Sequence, residues 1–217
     1  MILDFLYPLF PHVVCITEHH LNQYEIVQFH IGNYTLGANY CRHSLKKCVV
    51  CIFFHNILSI VGTDLKKISV DQDIEACAIR LLYSSCNMHI LVIYTAPTGN
   101  FTCFIKKLAA MLCSLYTLNT QLIICGDINV NYLVHNNRRK ILEALLSLFN
   151  LSSTVYIATV LQNKSAKTID NIFIDTSKFR NYVVSPLHTG LSDHDAQLIT
   201  LTFWHRSFTL YFSTLCM

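Results

Sequence analysis

Glycine and proline are scarce, with 6 Gly and 4 Pro among 217 residues. No stretch is rich enough in either to make a linker or a low-complexity segment, and no internal repeat is present, so one domain with ample material for a core is expected. Charge is sparse too, at 13% of residues, and nearly balanced: 16 Lys and Arg against 13 Asp and Glu give a net charge of +3. A field that weak attracts a polyanion only feebly, so charge alone makes no case for nucleic acid. Long apolar runs are absent despite 53% apolar residues and a mean hydropathy of +0.40. Val49 to Phe54, Ile90 to Tyr94 and Leu122 to Cys125 fall far short of the ~20 residues of a spanning helix and read as buried strands. Met1 to Phe10 lacks a basic leader and a small-residue cleavage site, and Asp4 interrupts it, so no export signal and no membrane partner are expected.

Cysteine is plentiful, with ten along the chain, several inside apolar runs (Cys51, Cys77, Cys125) where a free thiol behaves as a small hydrophobe. That usage points to a reducing, intracellular setting. Cys48 and Cys51 are three apart in a strand-like run and so face opposite ways; with no second pair at zinc spacing they are not read as a metal site. The sequons at Asn33, Asn100, Asn150 and Asn163 are treated as chance matches.

Strands are expected at His12 to Ile16, 26–36, 47–54, 74–83, 88–95, Gln121 to Cys125, Ile169 to Ile174 and Ala196 to Phe203. Phe104, Leu108, Met111, Leu112 and Leu115 recur at helical spacing within Phe101 to Tyr116, and Arg138 to Phe149 is a second amphipathic helix. The pattern predicts an α/β layered architecture. Residues 1–203 form the domain, and 204–217 are set apart as an apolar tail interrupted by His205, Arg206 and several hydroxyls.

Four segments share a feature that periodicity does not require: an apolar strand stops and a carboxylate, amide or imidazole follows at once. They are Cys15-Ile16-Thr17-Glu18, Cys125-Gly126-Asp127-Ile128-Asn129, Thr168-Ile169-Asp170-Asn171 and Leu191-Ser192-Asp193-His194. Asp127 and Asn129 are two apart, so on extended backbone they face the same way. Glu18 and Asp193 are hard oxygen ligands of the kind Mg²⁺ prefers. A carboxylate such as Asp170 would fix the tautomer of His194 and make it more basic.

The ordered series TEHHL, VIYTAP, CGDIN, TIDNIF and LSDHDA resembles the endonuclease/exonuclease/phosphatase superfamily, in particular the apurinic-type endonuclease domain of jockey-like non-LTR retrotransposons, from about residue 10 to residue 203. The resemblance implies a four-layer α/β/β/α sandwich. It gives Glu18 the role of metal-binding glutamate and Asp193 that of a second acidic residue near the metal, with Ser192 its structural neighbour. Tyr94 would contact the scissile phosphate, Asp127 would position or deprotonate the attacking water, and Asn129 would steady the phosphate. Asp170 would orient the catalytic His194, and Thr159 is matched loosely to a threonine near the phosphate. Either Asp127 or His194 is left as the proton acceptor.

The implied activity is hydrolysis of a phosphodiester with Mg²⁺, or Mn²⁺ in its place: nicking of one DNA strand, in the nucleus if chromosomal DNA is the target, with no protein partner. The alternatives are a catalytically impaired remnant of such a domain, or a phosphatase of the same superfamily. Two departures stand out. The first core strand of the family and its asparagine would precede residue 1, leaving a gap beside the first strand here, and His19-His20 replace the residues usual after the TE motif. For DNA contacts, the candidate basic rim is Arg138, Arg139, Lys140, Lys178 and Arg180.

Overall fold

The computed structural model describes residue 6 and residues 9–42, 48–83, 86–162, 165–202 and 207–214. Its core is a sandwich of two six-stranded sheets. The first runs in the order β12 (Asn181–Leu187), β13 (Ala196–Thr202), β14 (Ser207–Thr214), β1 (Val13–Thr17), β3 (Cys48–His55), β2 (Tyr34–Cys41). The second runs β4 (Ile60–Thr63), β5 (Glu75–Tyr83), β6 (Cys86–Tyr94), β7 (Thr120–Asp127), β11 (Asp170–Ile174), β8 (Ser152–Ser153). A short hairpin of β9 (Val160–Gln162) and β10 (Ser165–Lys167) stands apart from both.

Apolar side chains on the facing sides of the sheets form the central core, among them Val13, Cys15, Ile52, Ile79, Ile90, Val92, Cys125, Ile172 and Ile199. The outer face of the second sheet is covered by α2 (Phe101–Leu115) and α3 (Asn137–Ser147). The five α2 residues singled out by spacing are all buried there, against Leu91, Ile93, Leu122 and Ile124. Because β6 and β7 are parallel, the chain needs a crossover between them, and α2 supplies it. On the outer face of the first sheet, α1 (Gln23–Gln28) buries Ile26 beside Val14, Ile16 and Phe53. The expected four layers, α/β/β/α, are thus present. Among the described residues no helix is long and apolar enough to cross a membrane.

Three expectations change. Residues 26–28 are helical rather than extended: Asn22 caps the turn through Tyr24 and Glu25 amides, and the Glu25 carboxylate returns a bond to the Asn22 amide. That capping box needs only four residues and overrides a weak alternation. The segment separated as a tail is instead a strand for Ser207–Thr214, parallel to β1 (Val13↔Leu210 to Thr17↔Thr214) and antiparallel to β13. As a result β1 is paired on both sides, and the anticipated gap beside it is filled. Finally, 181–187, where no strand is expected, is an edge strand; Pro186 is tolerated because one side of β12 has no ladder to supply. Cys51, Cys77 and Cys125 are buried free thiols as expected, Cys15 is a fourth, and Cys41 is disulfide-bonded.

Candidate active site

One row of residues crosses the end of the second sheet. The register pairs Glu75 with Tyr94, Tyr94 with Asp127, and Asp127 with Asp170, so neighbouring strands deliver a tyrosine and three carboxylates side by side. Gly126 permits this closeness, since a Cβ there would lie 1.8 Å from the Ile93 carbonyl oxygen. Past β7 the chain turns with Asn129 at a left-handed φ of 47°, a conformation Asn accepts more readily than most residues. The turn is held by the Asn129 amide donating to Asp127 Oδ1 (3.1 Å) and by the Asn129 side chain donating to the Thr95 carbonyl (2.6 Å). Asn129 is therefore pinned by its own side chain to the β6 end.

The loop before β13 brings in the imidazole. His194 Nδ1 lies 2.8 Å from Asp170 Oδ2, and both side chains are buried. Ser192 fixes the loop, its hydroxyl accepting from the His194 amide and donating to the His194 carbonyl, each at 3.1 Å. Asp193 between them is exposed and acts on the imidazole through its charge.

Glu18 comes from the opposite sheet. It follows β1 at a φ of 54°, a strained value for this residue, and its amide extends the ladder to the Val49 carbonyl (2.7 Å). Tyr94 donates its hydroxyl to Glu18 Oε1 at 2.5 Å, which joins the two sheets at the mouth of the sandwich.

Electrostatics follow from this crowding. Burial, then the adjacent Asp170 charge, hold the Asp127 carboxyl well above the usual carboxylate range, with Glu18 adding to the effect. Burial opposes charge on His194, but the Asp170 hydrogen bond and the Asp170, Asp127 and Asp193 charges outweigh it and push the imidazole up to about 9. The imidazole thus carries its proton at neutral pH, donating Nδ1–H to Asp170. Burial, with the Glu18 bond, raises Tyr94 so that it remains a donor. The ligand atoms of Asp127, Asp170 and His194 all lie within 4.8 Å of one another, a spacing at which a metal ion could be held. Carboxylate oxygens close together are the donor chemistry that hard divalent cations take, so Asp127 and Asp170 fit such an ion.

One feature had escaped sequence reasoning. Arg42 Nε lies 2.6 Å from Glu75 Oε1, a buried ion pair, and the Arg42 guanidinium stands 5.7 Å from the Tyr94 ring centre. The only hint was a glutamate opening an apolar strand in a charge-poor chain. Thr159, matched loosely to a threonine near the phosphate, is a buried clamp next to Asp170: its hydroxyl accepts from the Ile169 and Asp170 amides (3.3 Å each), and its carbonyl accepts from the Asp195 amide (2.8 Å). The predicted basic rim is largely committed elsewhere. Arg139 pairs with Glu143 and donates to the Tyr132 carbonyl, Lys178 donates to the Leu118 carbonyl, and Arg138 packs on Phe101.

No family model matches the chain, and no curated protein does. Solved structures do. The endonuclease domain of TRAS1, a telomere-specific non-LTR retrotransposon, aligns over 93% of this chain and 89% of its own with a TM-score of 0.71 at 11% identity. An endonuclease/exonuclease/phosphatase family protein from Leptotrichia buccalis aligns over 93% and 91% (TM-score 0.63, 15% identity). Another from Bacteroides thetaiotaomicron covers 93% and 87% (TM-score 0.62, 13% identity). With the two-sheet sandwich and its flanking helices, these likenesses establish that the chain has the fold of the endonuclease/exonuclease/phosphatase superfamily.

Proposed function

We propose that the chain hydrolyses phosphodiesters, using a divalent cation, and that its substrate is DNA, in which it nicks one strand. The observation that carries the reading is the buried Asp170–His194 pair set beside Asp127, opposite the Tyr94–Glu18 bond. The TRAS1 likeness adds support, since that protein is an endonuclease domain of a retrotransposon.

Each residue has work that its geometry permits. Asp170 holds the imidazolium by Nδ1, which leaves the opposite nitrogen with a proton to direct at a phosphate oxygen as negative charge grows there. Asp127, its affinity for protons raised by burial and by Asp170, is the base for the attacking water. Tyr94 offers a second neutral donor, and Asn129 keeps the turn after Asp127 in place. Glu18 and Asp193 are the carboxylates assigned to a Mg²⁺ or Mn²⁺ ion. When bound, the ion supplies Lewis-acid stabilisation of the phosphate and its leaving oxygen.

The test is nicking of supercoiled plasmid by the purified chain with Mg²⁺, beside EDTA and the Asp127→Asn and His194→Gln variants. Nicking that requires the metal and both residues is expected. A folded chain that leaves the plasmid intact but releases phosphate from a monoester would replace the endonuclease reading with that of a phosphatase.

A further inference from the structure

A cavity of about 550 Å³ opens beside the Arg42–Glu75 pair, lined by Asn22, Tyr24, Tyr40, Arg42 and Lys66 among others. Its size falls within the range of small-ligand sites. Its wall has a definite chemistry. Tyr24 is 83% exposed, although a ring that large normally finds cover, and it stands in the first turn of α1, two residues after the cap Asn22. Lys66 is an exposed cation. Arg42 is the opposite case, its side chain only 12% exposed and held by Glu75 from behind, so its fork is set before any ligand arrives. The acids nearby already have donors: Glu75 Oε1 accepts from Arg42 and from the Gln72 amide, and Asp71 accepts the Tyr40 hydroxyl at 2.7 Å. An aromatic face, a preset guanidinium and an exposed ammonium around one cavity form the combination that takes a base and its phosphate.

The cavity also abuts the catalytic row. Arg42 stands 5.7 Å from the centre of the Tyr94 ring, and Tyr94 bonds Glu18. We propose that this cavity is a nucleotide subsite that seats a residue of the nucleic-acid strand flanking the hydrolysed bond, with Tyr24 stacking on the base and Arg42 and Lys66 contacting the phosphate. The assignment rests on the phosphodiesterase reading above, and makes the enzyme sensitive to what lies next to the scissile bond.

Binding and turnover separate the two ideas. The probe is a fluorescein-labelled single-stranded DNA of about 12 nucleotides, long enough for a single-strand groove. Anisotropy is measured in EDTA, where nothing is cut. Tyr24→Ala is expected to raise the dissociation constant by roughly 5- to 100-fold, the effect of losing one stacked base. Lys66→Gln is expected to lower the slope of log affinity against log salt by about 0.7, one phosphate contact on a single strand. Lys106→Gln, an exposed change on α2, is the control for general loss of charge. With Mg²⁺, the ratio of oligonucleotide cleavage to bis(p-nitrophenyl) phosphate cleavage is expected to fall at least tenfold in Tyr24→Ala. No binding by the wild-type chain, or variants that bind like it, overturns the subsite. Normal binding changes with no hydrolysis of either substrate by wild type would keep the subsite and overturn the phosphodiesterase reading.

Discussion

Replacing Asp170 with Asn tests the electrostatic account of the site most directly. The substitution keeps the shape of the side chain and removes the charge that lies 2.8 Å from His194 Nδ1. In the native protein the imidazole is lifted from an ordinary 6.5 to about 9 even though burial pulls the other way. That lift corresponds to about 3 kcal/mol favouring the charged ring. The lift is the net of a burial cost and the gains from Asp170, Asp127 and Asp193, with Asp170 first among the gains, so Asp170→Asn is expected to bring His194 down from about 9 toward its ordinary value.

The assay is a pH titration of the histidine ring nitrogens by NMR, with His194→Gln used to identify the resonance. Stability provides a second readout. A histidine whose pKa is higher folded than unfolded stabilises the fold fully below its unfolded value and loses that contribution as pH rises through the folded one. Urea unfolding of wild type should therefore lose up to about 3 kcal/mol between pH 6.5 and 9, and His194→Gln should lack this part of the slope. Asp127 changes stability in the same sense, but its raised pKa begins to act from the carboxylate range upward, so its contribution starts at lower pH. A His194 that still titrates near 9 in Asp170→Asn would refute the reasoning.

Thr159→Val removes the acceptor for two buried amides and should cost about 1–3 kcal/mol in urea unfolding, with Thr159→Ser restoring most of it. If Val and Ser behave alike, the hydroxyl is not the clamp. Arg42→Met leaves Glu75 buried without its cation and is expected to cost about 3–5 kcal/mol, whereas the double change Arg42→Met, Glu75→Gln should recover much of the loss in the same assay. Gly126→Ala drives a methyl group into the Ile93 carbonyl, so thermal unfolding should reveal a loss of about 3 kcal/mol or more, and a near-native melting curve would show that β6 and β7 can move apart.

How much could be read in advance differs residue by residue, for physical reasons. The ends of β7 and β11 were legible because an apolar run halted at Asp127 and because Asp170 opened the next run, and the helix over Phe101 to Tyr116 was legible because five apolar residues kept its period. The resemblance to the superfamily supplied the order of roles, and the structure brings Asp127, Asp170 and His194 into one buried group and Glu18 into contact with Tyr94. What escaped depends on partners distant in sequence. Arg42 and Glu75 are 33 residues apart and neither sits in a recognisable motif. Ser207–Thr214 alternates hydroxyl and apolar residues too irregularly to declare itself, and only pairing with β1 and β13 makes it a strand. The α1 turn was lost because a six-residue helix carries less than two full periods, leaving its cap as the sole local signal.

The position of β14 sets the order in which the molecule can be finished. β1 leaves the ribosome well before β14: one of its two flanking strands ends at Thr214, about 200 residues later. At ordinary synthesis rates that interval is about 10–40 s. Throughout it one edge of β1 presents unpaired amides and carbonyls, a template for any other extended chain nearby. The second sheet has no such delay, since β4 to β11 are complete by Ile174. Nascent chains are thus expected to carry the Asp127–Asp170 row in place while the sheet bearing Glu18 is still open, and occupancy by chaperones should be greatest in that window.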